Sequence, residues 1–489
     1  MADTVTAADK TAAEPEEKVP EKASKHYTWK GADGKVIDYT GTAEMVDIFD
    51  DKGKAMCHQF CLSYVSDDVD KSDRPVTFLW NGGPGGSSSM VCIGGQGPVR
   101  VPTDGTRHLP NTCPVEDNPY TLLQVSDLVF IDAPGTGYSH VAAGYDPKKV
   151  WGVDGDADAM TRTVIAWLNE HNAWDRPHYL YGESYGTTRA AVVYRLLGER
   201  GVGVDGVVEQ SSILDYAVML PGNDDYYAGM FPVMAATAQS AGVVGQGVDP
   251  EEWFGRAMDF VNTTYINALT VAGNLPQDRM QEVAEQMHGF IGLPVDFIMA
   301  RKLRIELYEF RAHFSQDKGL SHGRYDTRFT EQVYQPIQGD LGFFQMEDPS
   351  YDAIQVVYNE VYQKLLRDMG FAGYPNYCGL NIEVNESWNW NHDMPGVGSA
   401  PMPNVAFDIA TALRRNPTSH VIFLGGRHDG ATPYWNVIHD MAKMYLPEDL
   451  SKQVLWHESS NGHMLYADTE ALEATTPVLQ RFYDLRHQA

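Results

Sequence analysis

Cysteine is scarce in this sequence: five cysteines occur among 489 residues. An odd, sparse set in a chain of this length argues against a disulfide framework. Cys57 and Cys61 stand close together, but no second cluster of cysteine and histidine accompanies them, so a zinc site is not expected. The sequence therefore predicts free, buried thiols.

Long hydrophobic runs are also missing. The chain has no stretch of about 18 apolar residues, which argues against a membrane-spanning helix. The first residues, MADTVTAADKTAAEPEEKVPEK, contain no apolar segment of the kind found in export signals and are rich in Ala, Glu, Lys, Thr and Pro. We therefore expect a disordered tail over residues 1–25 and a cytoplasmic location.

Positive charge is in short supply. The chain has 37 lysines and arginines against 66 aspartates and glutamates, which gives a formal net charge of −29. A surface of this sign repels phosphate backbones and anionic lipids. We expect neither a nucleic-acid partner nor a membrane partner. The oligomeric state is left open, with a homodimer among the options.

Hydrophobic residues make up 43% of the chain, which is enough for a sizeable core. Over residues 26–216 and 401–489, apolar β-rich runs alternate with amphipathic stretches, a pattern typical of a doubly wound, mostly parallel sheet of the α/β class. Before the first of these runs, three segments are typical of antiparallel hairpin strands. The six core runs cover 75–82, 126–137, 178–184, 206–214, 420–426 and 453–459.

Residues 217–400 break this alternation. Strand-like runs are scarce there, and the helical stretches are rich in methionine and aromatic residues. We interpret the region as a helical insertion between two core strands, forming a cap over the active site. The alternative is a separate helical domain of unrelated function.

The segment Gly182-Glu183-Ser184-Tyr185-Gly186 matches G-x-S-x-G. This motif places a serine on a sharp strand-to-helix turn, where neighbouring side chains would clash. The β-rich run HYLY precedes it and the helix-like TTRAAVVYRLL follows it, as the motif requires. Ser184 is therefore the predicted nucleophile, and the following helix N-terminus favours a developing oxyanion.

A serine hydroxyl needs a base, and in this arrangement the acid and then the histidine follow the serine in the chain. Asp429 comes directly after a late core run, and His463 lies in the segment after the last run. We predict that they complete the triad, although Asp429 also suits a helix N-cap. His428 precedes the acid and His457 lies within a strand run, so neither is expected to be the base.

A glycine cluster, Trp80-Asn81-Gly82-Gly83-Pro84-Gly85-Gly86, follows the first strong core run. Glycines expose backbone N–H groups with no side chain in the way. One N–H from this loop and one from the residue after the nucleophile form the usual oxyanion hole. We predict Gly83 and Tyr185 as the two donors, with a merely flexible loop as the alternative.

Four blocks, WNGGPGGSSSM, GESYG, GGRHDGATP and SNGHM, resemble the signature blocks of the serine carboxypeptidase family, and SDLVFIDAPGTGYS resembles a fifth. The chain is similar to a bacterial-type member without the usual disulfides. The resemblance implies an α/β-hydrolase fold and removal of single residues from peptide C-termini through an acyl-enzyme. It also implies that Asn81, Gly82 and Glu183 hold the substrate carboxylate, with Glu183 acting by hydrogen bonding at acidic pH.

The sequence departs from the family pattern at several positions. Gly86 stands where the family usually has a cysteine, and Gly95 stands where it has the recognition glutamate of E-x-G-P. Gln96 is displaced by one position from that glutamate. Arg189 would be a stronger partner for a carboxylate if it reached the site, but we expect it to face elsewhere on its helix.

We predict a serine carboxypeptidase that acts on peptides and needs no metal or organic cofactor. An esterase or acyltransferase on the same fold is the first alternative, because that chemistry uses every one of the same core residues. A non-catalytic binding protein on a hydrolase scaffold is the second.

Overall fold

The computed structural model describes residues 22–31, 34–67, 72–103, 105, 108–110, 112–220, 222–332, 348–371 and 377–487. The strands are β1 Lys22–Lys30, β2 Val36–Phe49, β3 Ala55–Ser66, β4 Val76–Trp80, β5 Val99–Arg100, β6 Glu116–Asp117, β7 Asp127–Ile131, β8 His140–Val141, β9 His178–Glu183, β10 Gly206–Gln210, β11 Leu320–His322, β12 Thr330–Gln332, β13 His392–Met394, β14 Gly398–Ala400, β15 His420–Gly426 and β16 Val454–Ser459. The α-helices are α1 Ser89–Val91, α2 Val153–Glu170, α3 Tyr185–Glu199, α4 Asp224–Ser240, α5 Pro250–Phe260, α6 Ile266–Val271, α7 Gln277–Ile291, α8 Val295–Ala300, α9 Leu307–Phe314, α10 Pro349–Asp352, α11 Gln355–Met369, α12 Ile382–Glu386, α13 Ala406–Arg415, α14 Tyr434–Ala442, α15 Glu448–Ser451 and α16 Thr469–Asp484.

Ten strands form one sheet in the order β1-β2-β3-β7-β4-β9-β10-β15-β16, with β8 paired to β3. From β7 to β16 every neighbouring pair is parallel, whereas β1, β2, β3 and β7 pair antiparallel. The six parallel strands fall within the six apolar runs of the sequence. The predicted α/β class with a mostly parallel sheet is therefore confirmed, and the three leading segments form β1, β2 and β3.

Helices cover both faces of the sheet, which explains why β4, β7, β9 and β10 are buried along their whole length. One face packs against α2, α3 and α13, through side chains such as Val164, Trp167, Leu197 and Leu413. The other face packs against α11 and α16, through side chains such as Tyr358, Leu366, Leu472 and Phe482. Because the strands between these two layers are parallel, their carboxyl ends lie at a single edge of the sheet.

The chain between β10 and β15 holds the expected insertion, but it is neither wholly helical nor a single layer. Helices α4, α5, α7 and α9 enclose a core of their own, built from side chains such as Phe231, Phe260, Met287 and Phe310. Helix α11 instead lays Tyr358 and Tyr362 onto the sheet-side core. The prediction of one cap over 217–400 therefore differs from the structure at α11, because its apolar face is buried against the sheet. Two short hairpins, β11–β12 and β13–β14, complete the insertion.

The N-terminal boundary also needs correction. Residues 22–25 belong to β1, where they pair with β2 in register, so the predicted tail over 1–25 is wrong for these four residues. Residues 1–21 lie outside the described residues. No helix in the described part of the chain is long and apolar enough to cross a membrane. All five cysteines are free thiols, of which Cys57, Cys61 and Cys92 are buried.

A buried histidine ties the β13–β14 hairpin to the core. The His392 ring is fully buried between two carboxylates, with Nδ1 2.5 Å from Asp154 Oδ1 and Nε2 2.9 Å from Asp408 Oδ2. Arg195 donates to the other oxygen of Asp408 at 2.6 Å. Burial opposes protonation of His392, but the bonds to Asp154 and Asp408 outweigh it and raise the pKa of His392 to about 9.

We predict that stability falls as pH rises through about 9, since a histidine with a raised folded-state pKa contributes most below its unfolded pKa. His392→Gln should lose up to about 3 kcal/mol at pH 6, and the pH dependence near 9 should disappear. Urea midpoints measured from pH 6 to 10 test this. His26→Gln, which removes an exposed partner of Asp67, is the control and should change little. Equal pH dependence in wild type and His392→Gln would contradict the assignment.

Candidate active site

Ser184 stands on a sharp turn between β9 and α3. Its backbone lies at φ 59° and ψ −129°, a conformation that L-residues rarely adopt. A Cβ at Gly182 would overlap the Gly186 oxygen, and one at Gly186 would lie 2.9 Å from the Asn81 oxygen. The Ser184 N–H donates to the Gln210 carbonyl at 3.0 Å, which holds the turn against β10. Only glycine fits on either side, so the strained turn presents the serine side chain at the sheet edge.

Asp429 follows β15 and is fully buried. Its Oδ1 accepts from the N–H groups of Ala431 and Thr432 at 2.8 and 2.9 Å. Its Oδ2 lies 2.8 Å from His463 Nδ1 and accepts from the Thr432 hydroxyl at 2.7 Å. Helix α14 begins at Tyr434 with Pro433 at its N-cap, so Asp429 is not a helix N-cap. Its Oδ1 instead holds the turn before that helix, and its Oδ2 holds His463.

His463 lies in the loop after β16, and its ring lines the same cavity as Ser184. The bond to Asp429 places the proton of the neutral ring on Nδ1 and leaves Nε2 as the basic nitrogen. The His463 carbonyl accepts from the Ser211 hydroxyl at 2.5 Å, and its N–H donates to the Tyr325 carbonyl at 2.7 Å. The predicted serine, acid and histidine are thus brought together at one edge of the sheet.

The two rival histidines have other surroundings. His428 Nδ1 lies 3.3 Å from the Thr327 hydroxyl, and burial drives the pKa of His428 well below its usual value. His457 Nε2 lies 3.3 Å from the Thr475 hydroxyl, against α16. Neither ring lines the Ser184 cavity.

The glycine loop after β4 lies directly against the nucleophile turn. A Cβ at Gly82 would overlap the Tyr185 nitrogen and would lie 2.7 Å from the Glu183 oxygen. Gly83 has φ 112°, and the structure records no acceptor for its N–H among the described residues. The Tyr185 N–H is in the first turn of α3, where helix N–H groups have no helical acceptor. Gly83 therefore borders the cavity that Ser184 lines, and the Tyr185 N–H lies against Gly82, another residue of that lining.

A cavity of about 120 Å³ opens beside Ser184 and His463. Its lining contains no lysine or arginine among the described residues, and much of it is apolar. Four parts of the chain contribute to it: the glycine loop after β4, the turn that carries Ser184, the loop after β16 that carries His463 (the histidine loop), and the insertion. The lining residues are Asn81, Gly82, Gly83, Gly86, Ser87, Met90, Glu183, Ser184, Tyr325, Asp348, Tyr351, Gly379, Leu380, Ile382, Asn385, His463, Met464 and Tyr466.

Two buried carboxyl groups line this cavity, Glu183 and Asp348, and Glu183 is the one that adjoins the nucleophile in the chain. Burial raises the pKa of Glu183 to about 7, although His463, Tyr466 and Asn81 act in the opposite direction. Its Oε1 accepts from the Tyr466 hydroxyl at 2.9 Å, whereas its Oε2 has no hydrogen-bond partner among the described residues. The group is therefore neutral at mildly acidic pH and keeps one oxygen available.

Asn81 borders Glu183, and two hydrogen bonds fix its position. Its Oδ1 accepts from the Val91 N–H at 2.9 Å, and its carbonyl accepts from Arg189 Nη1 at 2.7 Å. Arg189 is buried and donates to Asp156 at 2.6 Å, so it faces away from the cavity and supports the glycine loop. Gln96 donates to the Tyr181 hydroxyl at 3.1 Å and does not line the cavity either.

The residues that could hold a metal lie elsewhere. Within the described ranges, Glu44, Glu170 and His171 form the one compact group of acids and histidine. Lys22 Nζ lies 2.6 Å from Glu44 Oε2 and 3.3 Å from Glu170 Oε1. The Lys22 ammonium group thus already pairs with both carboxylates, and this cluster does not border the Ser184 cavity.

One segment of the insertion, which no sequence motif marked, forms hydrogen bonds with both catalytic loops, the one that carries Asp429 and the one that carries His463. We call residues 324–328 the strap. The Arg324 carbonyl accepts from the Gly430 N–H at 2.9 Å, and the Thr327 N–H donates to the His428 carbonyl at 3.1 Å. The strap therefore holds the two residues on either side of Asp429.

The strap also holds the histidine loop. The Tyr325 carbonyl accepts from His463, and Asp326 Oδ2 accepts from the Gly462 N–H at 3.0 Å. Arg328 pairs with Asp326 at 2.7 Å and with Asp468 at 2.9 Å. A Cβ at Gly462 would lie 2.5 Å from Asp326 Cβ, so the glycine of SNGHM is required by this contact. Gly462 is the one signal in the sequence that could have revealed the contact between the strap and the loop of His463.

One protein-family model matches part of the chain. The family model described as serine carboxypeptidase matches residues 41–197. The resemblance to this family is thereby confirmed. The matched residues include the glycine loop, with Gly83, and the nucleophile turn, with Ser184, while Asp429 and His463 lie outside them.

Solved structures share the fold. Kex1Δp, a prohormone-processing carboxypeptidase from Saccharomyces cerevisiae, has 13% identity and a TM-score of 0.55, with 95% of this chain and 92% of that chain covered. A proline iminopeptidase from Mycobacterium smegmatis has 12% identity and a TM-score of 0.40, with 91% and 98% covered. At such identity the first likeness establishes the α/β-hydrolase fold. A comparison with curated protein sequences found no significant match.

We predict that Asp326→Asn lowers kcat by about 10- to 100-fold on a small ester with little change in KM, because the strap loses its charged hold on the His463 loop. Steady-state kinetics well below the unfolding temperature measure this. Asp393→Asn, at an exposed position of β13, is the matched control and should leave both constants unchanged. Unchanged kcat in folded Asp326→Asn would mean that the strap does not position the triad.

Proposed function

We propose that this protein is a serine carboxypeptidase that removes C-terminal residues from peptides through an acyl-enzyme. The observation that carries the proposal is the composition of one cavity: Ser184 and His463 line it together with Glu183, a buried carboxyl that has an oxygen without a partner. A nucleophile alone suits any acyl transfer. A neutral hydrogen-bond donor beside it suits a substrate that ends in a carboxylate.

The first half of the reaction forms the acyl-enzyme. His463 Nε2 takes the proton of Ser184 as its oxygen attacks the carbonyl carbon of the last peptide bond. Asp429 keeps the proton on Nδ1 and stabilises the imidazolium that forms. The N–H groups of Gly83 and Tyr185 donate to the oxyanion, and His463 returns its proton to the leaving nitrogen.

The second half hydrolyses this ester. Once the C-terminal residue has left, water occupies its place and His463 accepts a proton from it. The hydroxide attacks the acyl carbon, the same two N–H groups stabilise the second oxyanion, and Ser184 recovers its proton from His463. The shortened peptide leaves with a new carboxylate.

In this proposal the substrate carboxylate is held by neutral donors, since no lysine or arginine lines the described cavity. Glu183 donates from its protonated form, and Asn81 and Gly82 border the same space. Because burial raises the pKa of Glu183 to about 7, the donor persists from acidic pH to near neutrality. Above that pH two negative charges would face each other, and affinity for free C-termini should fall.

The nucleophile is tested by Ser184→Ala, which should abolish labelling by a fluorophosphonate and lower kcat by about 10⁶-fold, because no other group can form the acyl-enzyme. Gel-based labelling and peptide hydrolysis with mass detection measure the two effects. Ser451→Ala on the exposed helix α15 is the control and should be labelled as wild type. Labelling of Ser184→Ala at wild-type rate would remove Ser184 as the nucleophile.

Specificity is tested by paired blocked peptides with free or amidated C-termini, assayed from pH 4 to 8. Wild type should prefer the free acid, and its KM for that form should rise above pH 7 as Glu183 ionises. Glu183→Gln, which stays neutral, should lose this rise and leave the KM for amides unchanged. Equal cleavage of both peptide forms by wild type would instead favour the esterase or acyltransferase alternative.

A further inference from the structure

Tyr466 fills the space beside Glu183 that a side chain at position 95 would need. A Cβ at Gly95 would lie 2.7 Å from Tyr466 Cβ and 3.2 Å from Leu472 Cδ1. A Cβ at Gly94 would overlap the Tyr466 ring itself. The absence of a side chain at both glycines is therefore a packing requirement of the tyrosine, which is fully buried.

The Tyr466 hydroxyl is a fixed donor to Glu183. It lies 2.9 Å from Glu183 Oε1, and both residues line the cavity. Burial raises the pKa of the Tyr466 phenol well above its usual value, so the hydroxyl keeps its proton. A phenol that donates to Oε1 disfavours a carboxyl proton on that oxygen. In neutral Glu183 the proton then lies on Oε2, the oxygen without a partner in the described structure.

We propose that Tyr466 is a positioning residue for substrate recognition: it directs the Glu183 proton to Oε2, so that this single carboxyl group, held by the phenol, donates to the C-terminal carboxylate of the peptide. This inference rests on the proposed carboxypeptidase function and deepens it. Tyr466 occupies the space next to Gly95, the position at which the family has a second carboxyl group.

The neighbours of Glu183 support a site with one titrating carboxyl. Asn81, from the loop after β4, offers an uncharged amide. His463 and Asp429 face Glu183 as members of the triad, already bonded to each other. Tyr181 on β9 and Tyr358 on α11 are buried phenols whose pKa values are raised by burial, so they remain neutral. Asp348, the other buried carboxyl of the lining, already accepts from the N–H groups of Arg324, Ser350 and Tyr351. Affinity for a free C-terminus should therefore follow the ionisation of Glu183.

The test compares wild type with Tyr466→Phe, which removes the hydroxyl and keeps the ring against Gly94 and Gly95. At pH 6 the KM for a free-acid peptide should rise about tenfold, because the Glu183 proton is no longer directed to Oε2. The kcat and KM for the matching peptide amide should not change. The bond from Tyr466 lowers the pKa of Glu183, so its loss should move the alkaline limb of kcat/KM to higher pH by about one unit.

Tyr358→Phe is the matched control. Tyr358 is equally buried, its ring centroid lies 6.3 Å from that of Tyr466, and it does not line the cavity. Loss of its hydroxyl should change neither the KM for free acids nor the position of the alkaline limb. The same loss of free-acid affinity in both variants would show a general packing effect and overturn the role of Tyr466.

The outcomes separate this inference from the function on which it rests. If wild type prefers free acids but Tyr466→Phe keeps the wild-type KM and alkaline limb, the Tyr466 inference fails and the carboxypeptidase function stands. If wild type cleaves acids and amides equally, the carboxypeptidase function fails and recognition by Tyr466 falls with it. If Tyr466→Phe loses activity on acids and amides alike, Tyr466 serves the fold and not recognition.

Discussion

The structure depends on the close approach of two backbone segments, the glycine loop after β4 and the turn between β9 and α3. Gly82, Gly182 and Gly186 meet there at distances that leave no room for a Cβ. The Trp80 indole, at the end of β4, stabilises this contact by donating to the Gly186 carbonyl at 2.8 Å. With no side chains between the segments, Ser184 and Gly83 border one cavity, and the Tyr185 N–H lies beside Gly82 of its lining. A single added methyl group would separate these groups, which act together in acyl transfer.

The catalytic loops are completed from outside the sheet. The carboxyl ends of β15 and β16 supply Asp429 and His463, but a loop needs partners for its backbone groups. The strap from the insertion provides them on both loops, and Arg328 joins it to Asp468 at the start of α16. The insertion therefore has two roles: it walls the cavity, and it sets the spacing of the acid and the base. This makes the triad a product of both parts of the chain.

The net charge of the protein and the charge of the proposed recognition site differ. The chain carries a net charge of −29, yet its proposed substrate ends in a carboxylate. Repulsion between exposed charges is screened within about 8–10 Å at physiological salt, whereas a hydrogen bond from a buried neutral acid acts at contact and is strengthened by the low dielectric. A recognition site built from Glu183, Asn81 and Tyr466 needs no cation, and burial keeps the Glu183 carboxyl protonated at pH values below its raised pKa of about 7. In this arrangement affinity is set by proton occupancy and not by the sign of the surface.

The α/β fold, the six parallel strands, and the placement of Ser184, Asp429 and His463 at the sheet edge could all be predicted from the sequence. These follow from local patterns: apolar runs, glycine spacing and chain order, each readable within a few residues. The contacts of Glu183, the reason for glycine at position 95 and the hold of the strap on the catalytic loops are visible only in the folded chain. Tyr466 and Gly95 are 371 residues apart and the strap is over 100 residues from the loops it binds. Contacts between such distant segments depend on the packing of the whole chain, which no local pattern records.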